Sequence, residues 1–374
     1  MSGVYVHIPF CKKKCSYCDF HFSTTFESYR GRMLQAMTQE IVSRKSEAQQ
    51  EIIQTIYFGG GTPSLLSTTE LKGLLTSIRE NYRVDDAEIT LEANPDDINE
   101  KQLDSWRKLG INRLSIGLQS FKASDLEWMN RSHTVDQSTN SVLMAKAAGF
   151  DNITVDLIYG LPGLSNDDWE THLHKVLELD IDHISAYCLT IEEGTALNNW
   201  LQKQKIVPAS EDVQSQHFDI MLEILTQNGY EQYEISNFAR NHKYSQHNSS
   251  YWTGESYVGI GPSAHSFNGS ERRWNVANNS AYMKGLESNE SYFTEEILSL
   301  VDRWNETLMT GLRTAKGVEI KKLAAISDLD EDFLTKLRSF EQTGDLTIEN
   351  DIIVLTQKGK VIADHITSEL FKTN

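Results

Sequence analysis

Cys11, Cys15 and Cys18 put three of the chain's four cysteines within eight positions, directly after an apolar run that reads as a strand. Three thiolates hold zinc when a histidine such as His7 or His21 supplies the fourth ligand. They equally hold three irons of a [4Fe–4S] cluster and leave the fourth iron open. Spacing leaves both readings standing, with chance clustering of thiols as a third. The next strand-like run ends in Phe58-Gly59-Gly60-Gly61-Thr62-Pro63. Glycine lets a ligand approach the backbone because it has no Cβ. A plain strand-to-helix turn would look the same, and the lack of GK[ST] excludes a phosphate-binding P-loop. Glu92, Gln119, Arg131 and Asp156 fall at or soon after further strand ends. A carboxylate and an amide in one mouth suit hydroxyl and ammonium groups, and Arg131 suits a carboxylate. Each of them alone also serves as a cap or turn residue. Cys188 sits within a strand pattern and reads as a buried, inert thiol.

These side chains need a scaffold that gathers strand ends. Strand-like runs at 4–8, 55–61, 88–95, 113–121, 153–163 and 183–192 alternate with helical periodicity at 27–49, 67–82, 136–148 and 166–179. Such alternation builds βαβ units and a parallel sheet. The expected fold is α/β, a partial (β/α)6 barrel of the TIM type with its chemistry at the C-terminal strand ends. A doubly wound open sheet is the alternative. An amphipathic helix at 211–228, with Gly229 suited to its C-terminus, precedes a strand at 230–236. A stretch rich in His, Asn, Ser and Gly then runs to about residue 290. Beyond it, helices at 294–312, 319–326 and 331–343, a hairpin at 346–356 and a last helix to about Phe371 resemble a small winged-helix module. The expected units are a barrel core over 1–200, a barrel extension over 201–289 and the C-terminal module over 290–374.

The bulk properties narrow the function. A chain of 374 residues, 39% apolar and 24% charged, is an ordinary globular protein with room for several cores. Its net charge of −18 argues against a broad footprint on nucleic acid or anionic membrane, Lys12, Lys13 and Lys14 being only a small basic patch. From Glu290 onward sixteen acidic residues face ten basic ones, so the winged helix reads as structural or docking rather than DNA-binding. No run is long enough to span a bilayer and no signal peptide is evident, so a cytoplasmic protein that is not integral to a membrane is expected.

At the end of the first strand of a parallel barrel, an open iron site faces the cavity, where a small ligand with an amine and a carboxylate can chelate it. Cys11-x3-Cys15-x2-Cys18, followed one βα unit later by GGGTP, resembles the radical S-adenosylmethionine (SAM) superfamily. The resemblance implies a [4Fe–4S] cluster with SAM on its fourth iron, and backbone at Gly60 and Gly61 close to the methionine amino group. It implies one-electron cleavage of the S–C5′ bond to a 5′-deoxyadenosyl radical, the cofactor carrying the chemistry and the protein positioning it. Tyr5-Val6-His7-Ile8-Pro9-Phe10, most of residues 4–163, and Gly259-Ile260-Gly261-Pro262-Ser263-Ala264-His265 resemble the coproporphyrinogen dehydrogenases of anaerobic haem biosynthesis. Carried over, Tyr5, Gly60 and Glu92 contact the cluster-bound SAM. Thr62, Gln119, Arg131 and Asp156 correspond to contacts with a second SAM in those enzymes.

Two departures redirect the reading. The dehydrogenases have a further cysteine two residues after the third, where this chain has Phe20, and they carry an N-terminal extension, whereas this sequence begins ten residues before Cys11. Both features resemble the HemW-type haem chaperones, a sister group with HemN-like architecture. Gln246-His247-Asn248-Ser249-Ser250-Tyr251-Trp252 matches their HNxxYW motif, which implies haem binding by His247, Asn248, Tyr251 and Trp252. An imidazole ligates haem iron and aromatics pack on the macrocycle. Read alone, the stretch is a loop with a structural Tyr–Trp pair, and His242 and His265 are competing ligands. The resemblance thus implies three cofactors, the cluster, SAM and haem. Its implied partners are a haem acceptor such as a respiratory haem protein and an electron donor such as flavodoxin or ferredoxin, with no nucleic acid. The enzyme alternative is an oxygen-independent coproporphyrinogen III oxidase, and the binding-module alternative is a zinc-stabilised winged helix.

Overall fold

The computed structural model describes residues 2–48 and 51–373, so the last residue of the helix expected over 27–49 lies outside them. Six strands run parallel and pair in sequence order: β1 (Ser2–Ile8), β2 (Ile53–Gly60), β3 (Val84–Ala93), β4 (Arg113–Gln119), β5 (Ile153–Tyr159) and β6 (His183–Cys188). A doubly wound sheet reverses its strand order at a switch point, and this one does not. The helices α1 (Arg30–Ser43), α2 (Thr68–Asn81), α3 (Glu100–Leu109), α4 (Val135–Ala147) and α5 (Asn166–Glu178) lie between the strands in the chain. Ser67 with Glu70 and Thr134 with Gln137 form capping boxes that fix where α2 and α4 begin. The helical expectation passed over α3. Only Leu103 and Trp106 are buried on it, and its ends are set by the Asn99 cap and by Gly110 at φ 90.

Strand alternation decides what the barrel encloses. Val4, Val6, Ile56, Phe58, Leu91, Leu114, Ile116, Val155 and Leu157 are fully buried in the apolar core. The residues between them, Tyr5, Tyr57, Thr90, Glu92, Ser115, Gly117, Thr154 and Asp156, line an internal cavity. One face of each strand therefore packs on apolar neighbours while the other surrounds polar space.

The barrel stays open because both edge strands have other partners. On one side β9 (Tyr257–Ile260) runs parallel to β1. It is followed in the sheet by antiparallel β10 (His265–Phe267), β11 (Glu271–Asn275) and β12 (Phe293–Ile297). On the other side β8 (Asn237–Ala239) and β7 (Glu231–Glu234) extend β6. The polar stretch that runs to about residue 290, to which the sequence assigned no elements beyond 236, is thus largely ordered sheet and helix. Its strands are short, and their pairing is specified by distant partners rather than by local periodicity. One such partner is Glu40 on α1, fully buried, which accepts from Gly261 N (2.9 Å), Asn275 Nδ2 (2.8 Å) and the Tyr282 hydroxyl (2.5 Å). Arg44 lies 3.5 Å from Glu40 and donates to the Gly259 carbonyl (2.6 Å).

QHNSSYW is not a loop but a helix, α7 (Gln246–Trp252), which follows α6 (Glu211–Gln227) in the series and precedes α8 (Asn279–Ser288). A second apolar cluster, from Trp304 to Leu370, gathers α9 (Leu300–Gly311), α10 (Ile320–Ile326) and α11 (Glu331–Gln342) around a three-stranded sheet. The sheet comprises β13 (Val318–Glu319), β14 (Leu346–Glu349) and β15 (Ile352–Leu355), the winged-helix layout expected, and α12 (Gln357–Val361) and α13 (Ala363–Glu369) close the chain. Backbone bonds from Ile235 N to the Arg313 carbonyl and from Ala315 N to the Tyr233 carbonyl tie this module to the barrel's edge. No helix among the described residues is long and apolar enough to cross a membrane.

Candidate functional site

The cysteine loop leaves β1 and returns through a closed neck, where Ser23 N donates to the Pro9 carbonyl and Cys11 N to the Ser23 carbonyl. Ser16 is pinned by Met129 and Leu197, and Lys12 bridges Asp96 and Asp97. Held in this way, Cys11, Cys15 and Cys18 all face one cavity of about 1210 Å³, above the roughly 300–1,000 Å³ of ordinary ligand pockets. Thr62 donates to Cys11 Sγ (3.4 Å) and Arg131 to Cys15 Sγ (3.6 Å). Burial pushes the Cys11 thiol up to about 11 and the Cys18 thiol up to about 12, so a cation must be supplied before they ionise.

Among the described residues no three His, Cys, Asp or Glu side chains converge closely enough to hold one metal ion. Tetrahedral zinc needs sulfurs within about 2.3 Å of one centre, whereas a polynuclear cluster takes one thiolate per iron and does not need them to converge. The histidines considered as fourth ligands are already engaged. His7 Nε2 bonds the His21 carbonyl (2.7 Å), His7 Nδ1 meets the Tyr5 hydroxyl (3.2 Å), and His21 Nε2 meets Asn279 Oδ1 (2.8 Å). Burial holds His7 down at about 4, hence neutral.

The glycine strand end sits beside this loop because β1 and β2 pair from Val6↔Phe58 to Ile8↔Gly60, and Gly61 N donates to the Ile8 carbonyl (2.8 Å). Gly60 has φ +103, and a Cβ there would stand 2.6 Å from the His7 ring. No other residue type meets both conditions without strain. At the end of β4, Gly117 makes room for Gln119 Nε2 and Arg131 Nη2, which would lie 2.8 and 3.1 Å from a Cβ. Gln119 itself adopts φ 66 where the register with β5 slips. A non-glycine residue in that region stores strain, and such strain collects at functional sites.

Arg131 places a cation beside the cysteines. Its guanidinium donates to Asn94 Oδ1 and the Gly117 carbonyl, both at 2.8 Å, while its buried Nε has no partner and no described carboxylate pairs with it. Two of the carboxylates singled out in the sequence line the same cavity. Tyr57 donates to Glu92 Oε1 (2.8 Å), and Ser115 donates to Asp156 (3.2 Å). Burial, opposed by the Tyr57 bond and reinforced by the charge of Asp156, raises Glu92 to about 7. Burial likewise raises Asp156 to about 6 against the Ser115 bond and the Arg131 charge. A buried anion without a cation is a liability in the free protein and an attraction for an ammonium.

A folded pKa above the unfolded one means that the native state binds more protons. The Glu92 penalty is therefore absent below about pH 4.5, grows between about 4.5 and 7, and is complete above 7. Glu92→Gln is expected to raise the thermal midpoint of the free protein at pH 8 and to lose that advantage at pH 4. Parallel melting curves at the two pH values check this.

The HNxxYW helix closes the opposite end of the barrel. The amides of Gln246 and His247 donate to buried Glu88 (3.0 and 3.2 Å), which lies 4.0 Å from Arg113. His247, 1% exposed, is neutral, since burial holds it down at about 3. Both of its nitrogens are engaged, Nδ1 with Thr55 Oγ1 (2.8 Å) and Nε2 with the Tyr251 hydroxyl (2.9 Å), and the ring stacks on Tyr57 at 5.1 Å. His247 packs beside Gly3, five residues before the end of β1, so it lies on the order of 17 Å from the cysteine end.

Of the residues singled out in the sequence, Tyr5, the three cysteines, Gly60, Gly61, Thr62, Glu92, Gln119, Arg131, Asp156, His247, Asn248 and Tyr251 share one cavity wall. Trp252 does not. It lies outside the cavity under the Arg313 guanidinium (5.4 Å), its buried indole N–H without a partner. His242 and His265 are exposed and likewise do not line the cavity. Cys188 is half-buried on the cavity wall rather than in the core, its thiol raised to about 11 by burial. Tyr57, Asn94, Arg113, Ser115 and His183 also line the cavity and were passed over, although the polar phase of the strand alternation marks four of them.

Parallel strands in sequence order, three cysteines on the first βα loop and a glycine strand end on the second define the radical SAM class. Residues 5–176 match the model of the Radical SAM superfamily, and residues 298–362 match that of the HemN C-terminal domain. A protein of Bacillus subtilis (strain 168) described as heme chaperone HemW is 33% identical over 98% of this chain and 98% of its own length. The protein of Lactococcus lactis subsp. lactis (strain IL1403) with the same description is 36% identical over 86% and 84%. The chain belongs to the HemW family of radical SAM proteins. The structure of coproporphyrinogen III oxidase (HemN) from Escherichia coli superposes with a TM-score of 0.85 at 24% identity, covering 99% of this chain and 90% of that one, which establishes the shared fold.

Proposed function

We propose that this protein is a cytoplasmic haem chaperone that holds a [4Fe–4S] cluster and SAM, binds haem and passes it to an acceptor haem protein. The observation that carries the reading is the likeness, over nearly the whole chain, to proteins described as heme chaperones. Phe20, where the oxidases have a further cysteine, supports it over porphyrin oxidation. Cys11, Cys15 and Cys18 would hold the cluster, and the donor set fits: three thiols on one wall, beside a buried guanidinium that lacks a carboxylate. When bound, the cluster and SAM supply one-electron cleavage of the sulfonium. Around them Arg131 offers a carboxylate partner, Glu92 an ammonium partner and Tyr5 a ring near Glu92. Thr62, Gln119 and Asp156 offer further polar contacts. An electron donor such as flavodoxin or ferredoxin would reduce the cluster, and a respiratory haem protein is a suitable acceptor.

His247 is proposed as the haem ligand of the HNxxYW motif, with Asn248, Tyr251 and Trp252 around it. Its geometry adds a condition: Nε2 becomes available to iron only when the Tyr251 hydroxyl gives it up. Tyr251→Phe is therefore expected to strengthen haemin binding severalfold, and His247→Ala to weaken it by about tenfold or more. A Soret titration of the two variants checks this. Unchanged binding in both would remove His247 from the haem site.

A further inference from the structure

The cavity carries exposed apolar side chains to which the cluster, SAM and HNxxYW readings give no contact. Four large side chains that line it are substantially exposed: Phe20 (66%), Tyr187 (45%), Val361 (42%) and Ile362 (39%). They come from the cysteine loop, the end of β6 and the α12–α13 junction, so they form a rim from three parts of the chain. Exposed apolar side chains gathered around a concave site mark a binding surface. Lys360 lies in the same rim. Its Nζ donates to Gln232 Oε1 (2.7 Å), and no described carboxylate pairs with it, whereas neighbouring Arg313 is neutralised by Glu234 and Asp364. Burial lowers the Lys360 pKa, a cost that an anionic ligand would offset. His365 also lines the rim. It is exposed, it meets Phe340 edge-on at 6.2 Å, and its ring nitrogens have no hydrogen-bond partner among the described residues.

We infer that this rim is an outer seat for a planar apolar macrocycle bearing carboxylates, a metallated tetrapyrrole, with Lys360 holding a propionate and His365 facing the metal. The inference rests on the haem reading above and deepens it. It gives the C-terminal module a part in ligand binding, and it gives haem a place of uptake and release that His247, enclosed at the other end, does not offer. An apolar rim alone would accept any greasy ligand. The unpaired lysine asks for a carboxylate, and the free imidazole asks for a metal.

The test titrates haemin and haemin dimethyl ester into the full-length, cluster-loaded protein and its Lys360→Ala, Lys360→Arg and His365→Ala variants, followed by Soret absorbance. Lys360→Ala is expected to weaken haemin about tenfold, the size of one charge-assisted hydrogen bond, and Lys360→Arg to restore most of it. The ester, lacking the carboxylates, is expected to bind wild type and Lys360→Ala alike. His365→Ala is expected to shift the Soret band. Haemin binding by wild type and both alanine variants within about twofold, with unchanged spectra, would overturn this inference alone. Absence of haemin binding to wild type would overturn the haem reading as well.

Discussion

Glu40→Ala is expected to cost about 3–5 kcal/mol of folding stability, read as a lower urea midpoint. The carboxylate is fully buried and makes three hydrogen bonds, to Gly261 N, Asn275 and Tyr282, besides the nearby charge of Arg44. Removing it leaves the Gly261 amide and the Tyr282 hydroxyl without that acceptor, and leaves Arg44 only the partly exposed Glu47 as its carboxylate partner. An orphaned buried donor costs more than a typical bond contributes. The consequence reaches the site, because a Cβ at Gly261 would already stand 2.5 Å from the His7 carbonyl. Loosening that approach frees the β1 end from which the cysteine loop departs. Glu40→Gln keeps an acceptor and is expected to lose less than half as much. A midpoint unchanged in Glu40→Ala would show that the network holds nothing.

Cys15→Ala is expected to abolish cluster assembly while changing stability by no more than about 1 kcal/mol. Cys15 lies on a loop pinned at Ser16, at Lys12 and at its neck, so the chain path does not depend on its thiol. In the proposed site the three thiolates would be the whole protein contribution to a cluster whose last iron is left for SAM, and two would not suffice. Anaerobic reconstitution followed by iron and sulfide analysis checks this. Stoichiometric iron retained by the variant would remove Cys15 from the ligand set.

Much of the barrel was legible because its signals are local. Apolar strands recur between helical segments, the cysteines cluster at one strand end, and a triple glycine stands at the next. What escaped the sequence depends on contacts between distant residues. QHNSSYW has weak intrinsic helix propensity and is helical because Ser245 caps it and Glu88, 159 residues before His247, accepts its first amides. Asn94, beside Pro95, was passed over, yet it orients Arg131. The period of two in the strands is visible in the sequence, but the runs were read only as strands. Its polar phase, Tyr57, Thr90, Ser115 and Thr154, also announces that the barrel encloses a polar cavity. Lys360 and His365 belong to the winged-helix module, and nothing in their spacing says that this module meets the mouth of the barrel.

The central claim, that the chain carries haem rather than oxidises a porphyrinogen, is tested most directly by one anaerobic incubation. Cluster-loaded protein is given SAM, reductant, haemin and coproporphyrinogen III together, then passed through a sizing column and its porphyrins analysed. The account predicts haem eluting with the polypeptide and coproporphyrinogen III recovered unchanged. Protoporphyrinogen IX among the products, with no haem on the protein, would contradict it.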